Sequence, residues 1–470
     1  MLTKGNKKTI RAWIMYDWAN SAYALTITSA VFPIFYELVT SKKNDAGEVI
    51  TDFAQEVVGV AGTSLYSYAI AAGFLIMALL APILSGIADY SDSKKRFLQF
   101  FCYLGSAACA GLYFFSFDNL WIGLFLITMA CVGFSGSIIF YNAYLPEIAN
   151  EEEHDSISAK GFAAGYIGSV LLLIVNLAMV MDSEGKIFGL PGIDPEEIAH
   201  LGLSGEGLLK TCRAIQAFKI SCLSVGLWWA GWAQWTFWAL PNKTRKTKIT
   251  NNIIFNGYRE IVKVWKELGQ TVRLKRYLIA YFIYNTGVQT VMFMAANFAA
   301  KEIKAKNEFG EDIPFPSESL IVAILIIQLV GAIGAFLFSN LSKRFGNLRA
   351  LMIAVWFWVI LVVYAYFVEY EYPFYALAAG VGLVMGGVQA LSRSTYSKFL
   401  PPTHDHASYF SFYNMCYYIG TVVGMSFFAL TFDLTGNMRT CIILIGSFFI
   451  IGAIALTFVP KKEAKLKFNE

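Results

Sequence analysis

Long apolar stretches alternate with short polar ones along the whole of this chain. Twelve of them approach the roughly 20 residues that a helix needs to cross a bilayer. They run over residues 13–37, 60–84, 97–117, 120–144, 161–181, 218–240, 277–299, 319–340, 350–368, 373–395, 408–431 and 439–459. A segment in lipid must satisfy its own backbone hydrogen bonds, so each stretch predicts a transmembrane helix. The expected architecture is an all-α membrane protein of twelve spans. The first stretch reaches about Tyr36 and opens on the polar run Tyr16-Asp17-Trp18-Ala19-Asn20-Ser21. It is too long for the apolar core of a cleavable signal peptide and is expected to remain as span 1.

Two interruptions are long. Residues 241–276 separate the spans six and six. They open on the basic Pro241-Asn242-Lys243-Thr244-Arg245-Lys246-Thr247-Lys248 and continue with Ile254, Tyr258, Ile261, Trp265 and Leu268. That spacing is one apolar helix face, with Arg259, Lys263 and Lys266 off it. Such a helix suits the membrane surface or the end of the bundle. The domains expected are therefore 1–240, a linker at 241–276, and 277–470. In the second interruption, 183–217, Asp194 and Pro195 mark a helix start, with Asp194 as N-cap. This loop is either a lid over one mouth of the bundle or a surface decoration.

Lysine and arginine orient the chain. With an even number of spans both termini share a side, and the segments on that side hold 27 of the 37 Lys and Arg residues. Both termini are expected to be cytoplasmic, in a cell inner (plasma) membrane.

Local words recur between the halves. Tyr166-Ile167-Gly168-Ser169-Val170 in span 5 matches Tyr418-Ile419-Gly420-Thr421-Val422 in span 11. Tyr141 to Pro146, ending span 4, matches Tyr396 to Pro401, ending span 10. Arg11 with Asn20-Ser21 matches Arg276 with Asn285-Thr286. Each match joins span n to span n+6, which predicts two parallel six-helix pseudo-repeats.

Composition agrees with lipid as the solvent: 57% of residues are hydrophobic and 15% charged, against about 25% charged in soluble proteins. The net charge of +4 carries no nucleic-acid signature. The seven cysteines show no metal-ligand spacing and read as small core residues. His404 and His406 flank Asp405 without further ligands, so no metal is expected. No GxxxxGK[ST] phosphate loop is present, which argues against direct ATP driving. No cofactor and no obligate protein partner is called for. The partners implied are the lipid bilayer and a small-molecule substrate.

The loop after span 2, Ser85-Gly86-Ile87-Ala88-Asp89-Tyr90-Ser91-Asp92-Ser93-Lys94-Lys95-Arg96, resembles the signature loop of the major facilitator superfamily: a small residue, Asp four positions on, then a basic cluster. Asp92 and Ser93 replace the usual Gly and Arg. The loop after span 8 lacks the Asp but keeps Arg344-Phe345-Gly346. The resemblance implies a gating role for Asp89, Lys94, Lys95, Arg96 and Arg344, whose charges could hold neighbouring helix ends in one state. A topology signal accounts for the cations equally well, but not for Asp89. Two further segments resemble the branch of fungal vacuolar amino-acid effluxers and their bacterial relatives. They are Trp13-Ile14-Met15-Tyr16-Asp17-Trp18-Ala19-Asn20-Ser21-Ala22-Tyr23 with Phe32-Pro33, and Gly386-Gly387-Val388-Gln389-Ala390-Leu391-Ser392-Arg393-Ser394. This resemblance implies transport and, by analogy, export of amino acids.

Charges inside spans are costly and mark function. Asp17 lies about 8 Å and Arg393 about 12 Å along their helices from the cytoplasmic boundary, at about 1.5 Å per residue. Asp17 could instead be a carboxylate favoured by a helix N-terminus, and Arg393 could snorkel to the interface. The repeat takes Asp17 to Phe282 and Arg393 to Ile138, so each charge is unique to one half. Asn20, Asn142, Asn285, Gln289, Gln389 and Asn414 are candidates for hydrogen-bonding substrate or for joining helices. The expected substrate and coupling residues are Asp17, Asn20, Asn285, Gln289, Gln389 and Arg393. The stripe Trp228, Trp232, Trp235 and Trp238 reads as lipid-facing or packing, with an aromatic binding box as the alternative. Three functions compete. A secondary transporter of small polar solutes, amino acids by analogy and with a proton as a coupling candidate, leads. A transporter-like sensor or an exporter of unrelated molecules is the alternative. An intramembrane enzyme would need a nucleophile and base at one depth, and no histidine lies within a predicted span.

Overall fold

The computed structural model describes residues 4–43, 49–182, 184–241, 253–306 and 310–461. The basic linker, apart from Pro241, lies outside the described residues, as do the tail 462–470 and the side chain of Ile254. Twelve long helices follow the twelve apolar stretches. They are α1 (Lys7–Thr40), α2 (Gly62–Tyr90), α3 (Lys94–Gly111), α4 (Leu120–Ala143), α5 (His154–Met181), α6 (Gly205–Ala239), α7 (Val272–Glu302), α8 (Ser317–Phe345), α9 (Asn347–Phe367), α10 (Glu371–Phe399), α11 (His406–Thr435) and α12 (Met438–Thr457). Most overrun the apolar stretch at one or both ends, because a helix continues through a polar turn beyond the lipid. Eleven are long and apolar enough to cross a membrane. The exception, α6, holds five tryptophans, whose indole N–H lowers hydropathy although the ring suits the membrane. It packs against α1 and α3 like its neighbours.

The helix packing repeats with a shift of six helices. In the first half α1 packs on α5 and α6, α3 on α4 and α6, and α2 on α4; adding six to every number gives the second half's pairs. Gly168 on α5 abuts Trp18 of α1, and Gly420 on α11 abuts Thr286 of α7, so both face the first helix of their own half. Between halves, α2 packs on α11 and α5 on α8, while α4 packs on α11 and α5 on α10. These are the pairings of a pseudo-twofold axis. The protein has the twelve-helix, two-repeat major facilitator fold.

Three local details refine these expectations. The chain is not wholly helical: β1 (Ser41–Lys43) pairs antiparallel with β2 (Val49–Asp52), and β3 (Lys304–Lys306) with β4 (Asp312–Pro314). The two hairpins follow α1 and α7, equivalent places in the repeat, and their few residues were too short to show alternation. The loop after α5 is shorter than expected, because α6 begins at Gly205. Asp194 does cap a helix there, accepting from the Glu196 N–H at 3.1 Å, but that helix (Pro195–Leu201) is 3₁₀. His200 lies against the Val39 carbonyl at 2.9 Å, and Lys219 pairs with Glu197 at 2.6 Å. The segment is thereby fastened to the end of its own half. At its start the N–H groups of Phe188, Ile187 and Lys186 hold the Asp182 carboxyl below the usual carboxylate range. Third, the helix before α7 (Ile253–Gln270) buries Val264 and Leu268, with Ile261 partly covered, while Tyr258 and Trp265 are exposed. The covered side thus keeps Ile261 and Leu268 of the expected stripe and adds Val264 beside it, and the helix packs on α2.

Two features shape the centre. Residues Tyr23–Ala30 of α1 form a π-helix. Pro33 has no N–H to continue the backbone ladder, and the Thr28 carbonyl is met instead by the Tyr66 hydroxyl at 3.2 Å. The second feature explains the paired glycines of α10. A Cβ at Gly386 would stand 1.9 Å from the Gly331 carbonyl oxygen of α8, and one at Gly387 would stand 2.2 Å from the Phe338 ring. Small residues let these backbones touch.

Candidate functional site

A cavity of about 200 Å³ lies between the halves, walled by α1, α4 and α5 on one side and by α7, α8, α10 and α11 on the other. All six expected substrate and coupling residues line it: Asp17, Asn20, Asn285, Gln289, Gln389 and Arg393. Asn142 and Asn414 line it too, as do Ala24, Leu25 and Ser29 of the π segment. The tryptophan stripe does not. Trp228 donates to the Trp18 carbonyl at 3.3 Å, and Trp232, Trp235 and Trp238 are exposed on the outer surface.

At the end of the cavity nearest the termini, Asp17 and Arg393 meet across the halves. Arg393 Nη2 lies 2.9 Å from Asp17 Oδ2, and both residues are buried. The guanidinium is almost saturated. Its Nε donates to Ser158 Oγ and its Nη2 to the Ser158 carbonyl, both at 2.9 Å, while Nη1 reaches Asp17 Oδ1 at 3.4 Å. The Phe162 ring lies 4.1 Å from its centre and the Trp13 ring 4.8 Å away. Asp17 Oδ2 also accepts from the Tyr141 hydroxyl at 2.8 Å, and the Tyr141 ring stacks on Trp13 at 4.4 Å. A Cβ at Gly161 would fall 2.2 Å from Asp17 Oδ2 and 2.8 Å from Arg393 Nη2. Only a glycine leaves room for the pair.

Sequence reasoning singled out both charges but missed Tyr141, Ser158 and Gly161, which hold them. Tyr141 and Gly161 look like ordinary residues of apolar spans. Ser158 sits in a polar stretch just before the predicted start of span 5.

A family profile described as "Vacuole effluxer Atg22 like" matches residues 5–468. The chain belongs to the Atg22-like effluxer family. Over 457 residues it is 31% identical to the uncharacterized MFS-type transporter YxiO of Bacillus subtilis (strain 168), covering 97% of this chain and 96% of YxiO. It is 22% identical to autophagy-related protein 22 of Gibberella zeae, covering 92% of this chain and 76% of that protein. Among solved structures, the major facilitator superfamily transporter FucP in the outward conformation shares the fold. Its TM-score is 0.67 at 14% identity, over 97% of this chain and 99% of FucP. This Atg22-like protein is accordingly a multi-pass membrane transporter and not an enzyme.

The Atg22-like chain is closed at the end bearing its termini by two clusters. In the first, Asp89 at the end of α2 accepts from the backbone N–H groups of Ala407 and Ser408, at 3.2 and 2.7 Å. A carboxylate of one half thereby caps the first turn of α11 in the other, where free N–H groups and the helix dipole favour it. Lys94 lies 3.2 Å from Asp89 and bonds Glu147, which also meets His406 Nδ1 at 3.1 Å. In the second cluster the polarity of the parts is exchanged. The α8–α9 loop has no Asp, and the carboxylate comes from Asp155 at the start of α5. It accepts from Ser342 Oγ at 2.8 Å, Asn347 Nδ2 at 2.7 Å and Lys398 Nζ at 2.7 Å. Of the expected gating residues, Lys95 binds the Leu240 carbonyl at 2.9 Å and stays within its half. Arg96 and Arg344 are exposed, the latter over its own neighbour Phe345; neither takes part in these two clusters. Glu147 and Asp155 were missed, because carboxylates in short polar turns look solvated. The 253–270 helix adds a strap, through Lys263 to Asp405 at 2.9 Å and the Tyr409 hydroxyl to Glu267 at 2.9 Å.

Proposed function

We propose that this transporter is a secondary carrier that works by alternating access and moves small zwitterionic solutes, amino acids foremost. In this reading it sits in the plasma membrane with both termini cytoplasmic. Residues 1–240 and 277–470 are the two rocking units, joined by 241–276. The observation that carries the reading is the Asp17–Arg393 pair, buried between the units at one end of a polar cavity. A zwitterion brings one carboxylate and one ammonium, so it can replace each partner with its own opposite charge. Arg393 offers a planar fork to the carboxylate and Asp17 accepts the ammonium. The charges stay balanced in low dielectric while the direct link between the units is released. The two gate clusters support a state closed to the cytoplasm. Asp17 is also the candidate proton carrier, since a neutral carboxyl would loosen its hold on Arg393.

The test is transport in vesicles reconstituted with the purified protein, across a panel of amino acids, with and without a pH gradient. Saturable uptake or efflux of zwitterionic amino acids is expected. N-acetyl amino acids and amino-acid amides, which each lack one of the two charges, should compete at least about tenfold less well. Absence of amino-acid transport in either direction sinks the reading; a rate indifferent to the pH gradient removes the proton.

A further inference from the structure

Arg393 is buried, and its guanidinium is occupied as long as Asp17 stays beside it. A cargo in the cavity therefore meets another group first. One turn earlier on α10 stands Gln389, a lining residue that is half-buried, whereas Asn20, Asn142, Asn285 and Gln289 are buried. Residues four apart share a helix face, with about 5–6 Å between their Cβ atoms. Gln389 and Arg393 are thus successive donors on one side of α10.

The neighbours of Gln389 fix which way its amide is turned. Its Oε1 accepts from the Tyr166 hydroxyl of α5 at 2.7 Å, and its Nε2 lies 3.6 Å from Met292 Sδ. A thioether sulfur is a weak acceptor and no donor. Turned over, the amide would set its oxygen against that sulfur and take away the acceptor that Tyr166 uses. The contact with Met292 is exposed, and both residues line the cavity, so the amide nitrogen opens onto it. Tyr166 is itself confined, since a Cβ at Gly331 of α8 would stand 3.2 Å from its ring. Ser158, Phe162 and Tyr166 recur every fourth residue along α5. The first two hold Arg393 and the third holds Gln389. One face of α5 in the first half thereby steadies both donors of the second.

We infer that Gln389 is the first donor to take the cargo's carboxylate, and that Tyr166 is a positioning residue that keeps the amide nitrogen turned to it. This rests on the zwitterion reading above. A carboxylate has about four acceptor sites, so it keeps Gln389 when the Arg393 fork exchanges Asp17 for it. Affinities are read in the reconstituted vesicles, as competition against a labelled amino acid. Gln389→Leu should raise the inhibition constant of an amino acid at least about tenfold. That of its amide, whose neutral carbonyl is a weaker acceptor, should rise less than about threefold. Tyr166→Phe should raise the amino acid's constant about threefold alone and add nothing in the Gln389→Leu background. A structural role for the hydroxyl would weaken both backgrounds alike. Gln389→Glu keeps the volume and the bond from Tyr166, but it turns a repelling carboxylate to the cargo. It should weaken amino-acid binding further than Gln389→Leu does, and it serves if Gln389→Leu fails to fold. Unchanged amino-acid affinity in these Gln389 variants, or equal losses for amino acid and amide, overturns the inference and leaves the zwitterion reading intact. Wild-type protein that takes no amino acid overturns both.

Discussion

Asp17→Asn and Arg393→Gln should each reduce transport at least about tenfold, a barrier change of about 1.4 kcal/mol, while the protein still inserts and folds. Each substitution leaves one buried charge without its partner, and in a protein interior that costs several kcal/mol. The cost falls on the state in which the pair is made, and it removes a group that the substrate needs. Exchanging the two charges separates a binding role from a simple clasp. With Asp17→Arg and Arg393→Asp together, an opposite pair could still form. The Tyr141 hydroxyl, which now donates to a carboxylate, would meet a cation, and the Ser158 carbonyl, which now accepts from Arg393, would meet an anion. The exchanged protein should therefore remain inactive. Near-normal rates in both single variants would reduce Asp17 and Arg393 to capping and topology residues. Recovery in the exchanged protein would make them a clasp that never touches cargo.

Gly161→Ala should be nearly as damaging, although it adds one methyl group and no charge. The new Cβ would fall 2.2 Å from Asp17 Oδ2, well inside van der Waals contact, so the carboxylate must swing away from Arg393. We expect kcat/KM to fall about tenfold, by the same barrier change of about 1.4 kcal/mol, and Gly161→Val to abolish transport. The control is Gly231→Ala on α6, where an added Cβ meets no atom within 4 Å; it should transport normally. Full activity of Gly161→Ala would mean that the pair has slack the packing does not suggest.

The spans were legible because lipid imposes a length and a polarity on every crossing, and the repeat because glycine words at Gly168 and Gly420 mark equal contacts. The cavity residues were legible for a related reason: amides such as Asn20 and Asn285 are costly in apolar runs and stand out. What pairs with what was not legible. Asp17 and Arg393 are 376 residues apart, and their meeting depends on how two halves close. Asp155 and Glu147 lay hidden in polar turns, where a tight inter-half tie and a solvated carboxylate look alike. Which apolar residues of the 253–270 helix would be covered was not legible, because an apolar residue on a surface helix can stay exposed even against protein, as Trp265 does 5.6 Å from the Phe412 ring.

Most of the ties that close the termini end have one sign; an exception is Lys94 of the first half, which donates to the His404 carbonyl of the second at 3.3 Å. Asp17, Asp89, Glu147 and Asp155 all belong to the first half, while Arg393, Lys398, His406 and the amides of Ala407 and Ser408 belong to the second. Partners within hydrogen-bond reach share one depth, so parting them separates charge along the plane of the membrane and hardly along its normal. The membrane potential acts only on charge displaced along that normal, at about 2.3 kcal/mol per elementary charge per 100 mV. The empty carrier should therefore switch states almost independently of voltage, and any current it produces should report the net charge of its cargo and coupling ion. Electrical recording from protein adsorbed on a supported membrane can check this. A large transient charge movement without substrate would show that the gate itself senses the field.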